Sequence, residues 1–325
     1  MRSTFAAASL LALAACGLNG TDRYKDEGKE GAAQTAENGR DSLADTMASR
    51  DGQTIENDIS DPEKRPIMQA QVVLDRIGFM PGVIDGKMGM STVNAIKGFQ
   101  ESRGLTVTGK LDEATTQALA QWQSIPATRV VTIPADWGQE QYFATPEEPE
   151  DQAKMERLGY ASLDERLAER FHTTVETLRA LNPGGRPAGA PAPTGSPTAA
   201  ATTPTATPTA TGTDNAFTPQ PGPRSTFAAG QQIRVPNIGA DKIEPGKVDD
   251  ANWQRTLASL GVGTTQPKAD RIVVSKSQNT LKAYDAAGKL TAIFTVSSGS
   301  SEFPLPLGNW EIKGEAYNPP YSYDP

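Results

Sequence analysis

The chain has 325 residues, a formal net charge of −8 and only 37 % hydrophobic residues, and it contains 30 glycines and 25 prolines. This composition excludes one large core, because long stretches cannot bury enough apolar surface to offset the entropy of ordering them. The negative charge argues against nucleic acid as a partner and against electrostatic attachment to anionic lipid. We therefore expect three small folded modules joined by disordered linkers, and the patterns along the chain described below predict an α+β fold class for them.

Residues 1–15 have the proportions of a signal peptide, with Arg2 before an apolar run that is too short to span a bilayer. The sequence Leu13-Ala14-Ala15-Cys16 resembles the lipobox of bacterial lipoproteins. This resemblance implies that Cys16 is lipidated and anchors the protein in a membrane of the cell envelope, facing the periplasm. Gly17 after the cysteine favours the outer membrane. An ordinary secretory peptide with an incidental cysteine is the alternative.

Residues 16–64 show no hydrophobic period and carry more acidic than basic side chains. Such a segment predicts a disordered acidic tether between the anchor and the first folded module.

The segment 65–124 has helical periodicity in three places, separated by loops rich in glycine. Gly78 is placed to end the first helix, Ser91 to cap the second and Asp112 to cap the third. The pattern predicts three short helices around one small core. Its apolar positions are Val72, Val73, Leu74 and Ile77, then Val93, Ile96 and Phe99, then Ala118, Leu119 and Trp122.

The ordered series of loop glycines, caps and core positions from Gly78 to Leu119 resembles the peptidoglycan-binding type 1 domain. That resemblance implies a wall-binding accessory without catalysis, whose partners are glycan strands and stem peptides. The alternative is that the matched positions only determine the fold. Within the second helix, Gly98 weakens the helical propensity. The binding residues that the resemblance suggests are Asp85, Gly86, Gly89, Thr92, Phe99 and Gln100.

Residues 125–152 are predicted as a linker, and 153–238 as a second module. Apolar residues from Leu163 to Leu181 follow helical spacing, and Ile233 to Val235 indicate a strand. The two parts resemble a LysM module, a βααβ fold that binds N-acetylglucosamine, interrupted by a Pro/Ala/Thr-rich insertion at 185–224. The first strand of that fold is not visible in the sequence. The only histidine, His172, has no partner for metal binding or catalysis and is interpreted as a helix-end residue.

Residues 239–269 are predicted as a linker, and from Asp270 the hydrophobic period changes to two. Runs at 271–275, 280–284 and 290–296 predict three strands, and Pro304 to Ile312 predicts the opening of a fourth.

This series, including Pro306-Leu307-Gly308, resembles the N-terminal half of the YkuD-type L,D-transpeptidase domain over residues 270–325. The family transfers a stem-peptide acyl group through a cysteine thiolate, but neither Cys16 nor His172 lies in this segment. We therefore expect no catalytic residue, metal or cofactor here. The predicted function is peptidoglycan L,D-transpeptidation, truncated before the catalytic motif. A non-catalytic peptidoglycan-binding lipoprotein is the alternative, while a zinc amidase is disfavoured by the single histidine.

Overall fold

A computed structural model describes residues 59–191, 217–238, 250–259, 268–302 and 304–314. The predicted signal peptide, Cys16 and nearly all of the acidic tether lie outside these ranges, as do most of the Pro/Ala/Thr-rich insertion and much of the 239–269 linker. The described chain is a mixed structure of helices and two small antiparallel sheets. None of its helices is long and apolar enough to cross a membrane.

The first unit, called here the helical module, contains α1 (Pro66–Arg76), α2 (Met90–Ser102) and α3 (Glu113–Leu119). Pro66 occupies the first turn of α1, where its missing N–H costs nothing. The Asp112 side chain caps α3 by accepting from the Thr115 amide. Helix α2 differs from the expectation, because its N-cap is Gly89 in an extended conformation and Ser91 already lies inside the helix.

The second unit, called here the βααβ unit, begins with β1 (Thr128–Thr132) and ends with β2 (Gln232–Pro236). These strands pair antiparallel, with Val130 opposite Arg234. Between them lie a short helix α4 (Pro149–Gln152) and two longer helices. The longer helices are α5 (Leu163–Arg170), capped by Ser162, and α6 (Val175–Leu181), capped by Thr174.

Residues 125–152 are therefore not only a linker, as the sequence had suggested. They hold β1 and a helical turn at Ala135–Gly138 whose Trp137 is buried. The strand is short, and its partner β2 follows the whole Pro/Ala/Thr-rich insertion. Because non-local pairing leaves no local turn signal, the sequence pattern did not reveal it.

The third unit contains α7 (Ala251–Ser259) and three strands, β3 (Arg271–Ser275), β4 (Thr280–Tyr284) and β5 (Leu290–Thr295). Helix α7 lies in the segment predicted as the 239–269 linker. The strands form an antiparallel sheet in chain order, called here the C-terminal sheet.

The fourth strand predicted at Pro304 to Ile312 does not form within the part of the chain that the structure describes. Pro304 makes only an isolated bridge with Gly299. Pro304 and Pro306 have no amide N–H to donate to a ladder, which disfavours strand pairing. The apolar side chains of Leu307, Trp310 and Ile312 remain 79 %, 75 % and 62 % exposed.

Two hydrophobic clusters join the three units, and α1 contributes to both. Its Met68 and Val72 pack with the βααβ unit, whereas Val73 and Leu74 lie in a cluster that includes the C-terminal sheet. Residues 71–74 are buried without interruption, which is typical of a helix covered on more than one side. The units therefore share cores, in contrast to the predicted independent modules.

Polar contacts accompany the junction between the helical module and the βααβ unit. The Ile84 amide donates to the His172 carbonyl at 2.7 Å, and the Thr173 hydroxyl donates to the Ile84 carbonyl at 2.6 Å. His172 Nδ1 lies 3.0 Å from Asp75 Oδ1. The only histidine thus belongs to a packing interface, and its positive φ of 51° fits the turn between α5 and α6.

Candidate functional site

A loop between α1 and α2 is organised by one buried glutamine, Gln71. Its Nε2 donates to the Lys87 carbonyl at 3.0 Å, to Asp85 Oδ1 at 3.2 Å and to Thr92 Oγ1 at 3.1 Å. Its Oε1 accepts from the Gly86 amide at 2.7 Å. Gly86 has φ +75°, a conformation that a side chain would strain. The loop is therefore held in one shape from inside the module.

Gln100 does the same for the loop between α2 and α3. Its Nε2 donates to the Lys110 carbonyl at 3.1 Å, to Thr108 Oγ1 at 2.9 Å and to Thr115 Oγ1 at 2.8 Å. Its Oε1 accepts from the Gly109 amide at 2.8 Å. Both glutamines are fully buried, so these hydrogen bonds satisfy two side-chain amides that water cannot reach.

These two loops repeat one design. Each contains Gly-Lys followed by a buried threonine at the same distance: Gly86 and Lys87 with Thr92, and Gly109 and Lys110 with Thr115. The sequence patterns considered above did not single out Gln71, although the repeated Gly-Lys spacing was a signal that could have found it. In both cases the glutamine that bonds to the loop lies on the helix that precedes the loop.

Phe99 is the centre of the module's core. It makes edge-to-face contacts with Phe79 at 5.8 Å and with Trp122 at 6.3 Å between ring centroids. The Arg103 guanidinium lies over the Phe99 ring at 5.5 Å, a favourable cation–π geometry.

The six residues that the resemblance suggested for binding play different parts. Asp85 accepts from the Lys87 amide at 2.9 Å and, like Gly86, is half-buried. Gly89 is exposed, and a Cβ at this position would have no neighbouring atom within 4 Å. Thr92, Phe99 and Gln100 are buried. Thr92 and Gln100 take part in the hydrogen bonds that hold the two loops, whereas Phe99 fills the core of the module.

Three apolar side chains of the first loop and of the start of α2 are exposed, and we call Val83, Met88 and Met90 the loop surface. Their exposed fractions are 46 %, 44 % and 62 %. The Lys87 ammonium lies beside it, 3.8 Å from the Glu176 carboxylate of the βααβ unit. The three residues lie close together in the sequence, and clustered exposed apolar side chains mark an interaction site more often than scattered ones do.

Across the described ranges, no group of His, Cys, Asp or Glu could hold a metal ion. Hydrogen bonds from the Thr108 hydroxyl, then from the Thr115 hydroxyl and amide, hold the pKa of Asp112 below its ordinary value. That carboxylate is already used as the cap of α3.

Buried polar groups in the βααβ unit are likewise committed to the fold. Asp164 accepts from the Thr226 and Phe227 amides at 2.8 and 3.1 Å. Arg234 donates to Thr128 Oγ1 at 2.9 Å and to the Ser60 carbonyl at 3.1 Å. These contacts connect the two strands and attach the first described residues to the unit.

The geometry defines a small helical domain whose two loops are each held in shape by a buried glutamine. Residues 64–119 match a family model described as a putative peptidoglycan binding domain. None of the curated proteins compared with the chain matches it. The family match supports peptidoglycan as a partner and suggests association with the cell wall.

Proposed function

We propose that this protein is a peptidoglycan-binding protein of the cell envelope and that the loop surface makes the contact. The observation that carries the proposal is the family match at residues 64–119, together with a loop whose apolar side chains face solvent while its interior is locked by Gln71. A preorganised loop loses little conformational entropy when it binds.

Co-sedimentation with purified sacculi tests this proposal, using the chain without its signal peptide and with Cys16→Ser. We expect the double variant Met88→Ala/Met90→Ala to pellet several-fold less than the parent chain. Leu158→Ala is the matched control, because Leu158 of the βααβ unit is exposed to the same extent as Met88, 44 %. Equal pelleting of all three proteins would contradict a role for the loop surface.

We further propose that the chain divides as its sequence patterns suggest. Residues 1–15 would be a lipoprotein signal peptide, Cys16 the lipidation site, and 16–64 the tether to an outer-membrane anchor. Detergent phase separation tests the anchor: the native precursor should yield a detergent-phase protein, whereas Cys16→Ala should stay in the aqueous phase. Identical partitioning would contradict lipidation.

A LysM-like identity is proposed for the βααβ unit. The order β1, α5, α6, β2 and the antiparallel pairing of the two strands support it, and the unit then begins at β1 instead of near residue 153. Titration with N-acetylglucosamine oligomers, monitored through the unit's NMR amide shifts, tests the binding. Absence of shifts at millimolar oligomer would reduce this unit to a structural role.

For the C-terminal segment we propose the N-terminal half of a YkuD-type L,D-transpeptidase domain. Support comes from three antiparallel strands in chain order and from the exposed apolar side chains of Leu307, Trp310 and Ile312. Exposed groups of this kind are typical of surface that other polypeptide covers. The alternative is a non-catalytic wall-binding lipoprotein.

Release of D-Ala from a disaccharide-tetrapeptide separates the two possibilities. The 325 residues contain one cysteine and one histidine, and the His172 side chain lies against Asp75. We therefore expect no D-Ala release by the 325-residue chain, because acyl transfer in this family needs a thiolate. Release by the protein isolated from its source, but not by this chain, would support the transpeptidase proposal.

A further inference from the structure

The outer edge of β5 is paired with a segment of the helical module. The Ile293 amide donates to the Gly78 carbonyl at 3.0 Å, and the Met80 amide donates to the Ile293 carbonyl at 2.9 Å. Phe79 lies between them in a parallel bridge with Ile293. Gly78 makes this possible, because its φ of +89° turns the chain at the end of α1.

Helix α2 is shaped to receive the same strand. Ile293 is only 2 % exposed, and a Cβ at Gly98 would lie 2.9 Å from its Cγ2 atom. A side chain at position 98 would therefore displace Ile293. Glycine inside a helix is less stable than alanine, and the close approach of β5 explains why glycine occupies this position.

The contact has a core and a rim. Leu290 and Ile293 of β5 belong to the same buried cluster as Phe79 and Phe99 of the helical module. At the rim, Lys282 Nζ lies 2.7 Å from Glu101 Oε2. An unpaired strand edge promotes aggregation. The contact therefore protects the edge of β5 from pairing with other chains and also excludes water from it.

We propose that the helical module has a second function besides wall binding: it closes the edge of the C-terminal sheet and holds that sheet in one orientation. Gly98 and the segment Gly78–Met80 carry this function. Val83, Met88 and Met90 remain exposed in the docked arrangement, so both functions operate at the same time. This second function is independent of whether the module binds peptidoglycan.

An engineered disulfide tests the docking directly. The ideal Cβ at position 98 lies 3.4 Å from the Ile293 Cβ, close to the separation of about 3.5–4.5 Å that disulfides require. The test protein is the chain after the signal peptide with Cys16→Ser, so that Gly98→Cys and Ile293→Cys are its only thiols. Mild oxidation should link them and shift mobility on a non-reducing gel.

The matched control pairs Lys97→Cys with Ile293→Cys. Lys97 is exposed and lies against Gly109 of the second loop. We expect the 98–293 pair to close about tenfold faster or more, because Cβ vectors that point apart cannot be bridged without backbone movement. Equal rates for the two pairs would mean that the sheet is joined to the helical module only by the chain and is not docked on it. That result would overturn the proposal.

A second variant gives an independent measurement without a disulfide. Gly98→Leu should increase hydrogen–deuterium exchange in residues 78–80 and 290–295 together, and unchanged exchange in both would overturn the proposal. The cross-linked protein should also pellet with sacculi as the reduced protein does. Pelleting lost on cross-linking and restored by reductant would overturn simultaneous action, whereas pelleting absent in every form would contradict only the proposed wall binding.

Discussion

At the scale of single residues, Gln71 and Gln100 show how one buried amide can fix a whole loop. Each meets a glycine amide, a lysine carbonyl and a threonine hydroxyl. The loops therefore keep their backbone shape even where their apolar side chains are exposed to solvent. The shape of the exposed loops thus depends on side chains that are themselves fully buried.

Replacing Gln100 by leucine tests this dependence. The substitution leaves the Thr108 and Gly109 amides without their acceptor, and each unsatisfied buried polar group costs about 1–3 kcal/mol. We expect the free energy of unfolding to fall by at least about 2 kcal/mol in urea denaturation. Gln117→Leu on the exposed face of α3 is the control, and an equal loss there would contradict the hydrogen-bond explanation.

Asp112 gives the helical module a defined response to acid. Its pKa is lowered in the folded state by the hydrogen bonds from Thr108 and Thr115. The unfolded chain therefore takes up the proton first. The stabilisation is complete above the ordinary aspartate pKa of about 3.9, and it is lost as the pH falls from there through the lower pKa of the folded state.

Asp112→Asn should keep the cap geometry and remove this titration, since both residues are good N-caps. Melting temperatures measured from pH 6 to pH 3 should decrease more steeply for the parent chain than for the variant over the acidic end of the range. Parallel curves for the two proteins would contradict the assigned role of the carboxylate.

At the scale of elements, local patterns in the sequence predicted the strands of the C-terminal sheet and one helix cap correctly. Strands β3, β4 and β5 were visible from period-two patterns, and the cap at Asp112 from residue type. What the sequence could not give was pairing between distant segments. Strand β1 has its partner beyond the insertion, and the reason for Gly98 lies in Ile293.

The same limit applied to the binding residues. Family resemblance selects positions that keep the fold, so Thr92, Phe99 and Gln100 were chosen although their side chains are buried. Exposure is a property of the assembled module, and Val83, Met88 and Met90 could be proposed as contact residues only when burial was known.

Neighbouring residues Val83 and Ile84 should separate binding from stability. Ile84 is fully buried between the helical module and the βααβ unit, so Ile84→Ala should cost about 2–5 kcal/mol. It should also increase proteolysis near residues 172–173, whose backbone and hydroxyl bond to Ile84. Val83→Ala should change stability by about 0.5 kcal/mol or less yet weaken pelleting with sacculi. Equal stability losses would contradict the separation.

At the scale of the whole molecule, helix α1 is the element that the other units share. Its Met68 and Val72 belong to the cluster of the βααβ unit, and its Val73 and Leu74 to the cluster of the C-terminal sheet. A modular interpretation of the sequence treats the segments between units as the places to cut. The shared cores mean that a cut exposes apolar surface on both sides.

Fragments provide the test at this scale. A cut just after α6 gives residues 65–183, but that fragment lacks β2, whose Ile233 and Val235 are fully buried in the same cluster as Leu178 and Leu181. Without β2, strand β1 has a free edge and the cluster of the βααβ unit is open. We expect 65–183 to aggregate or to elute as a broad, expanded species in size-exclusion chromatography.

Residues 59–238, which restore β2 and the contact of Arg234 with Ser60, should elute closer to a compact monomer. If the two fragments elute with equally sharp monomer peaks and unfold with equal midpoints in urea, β2 is not part of the core that holds α5 and α6.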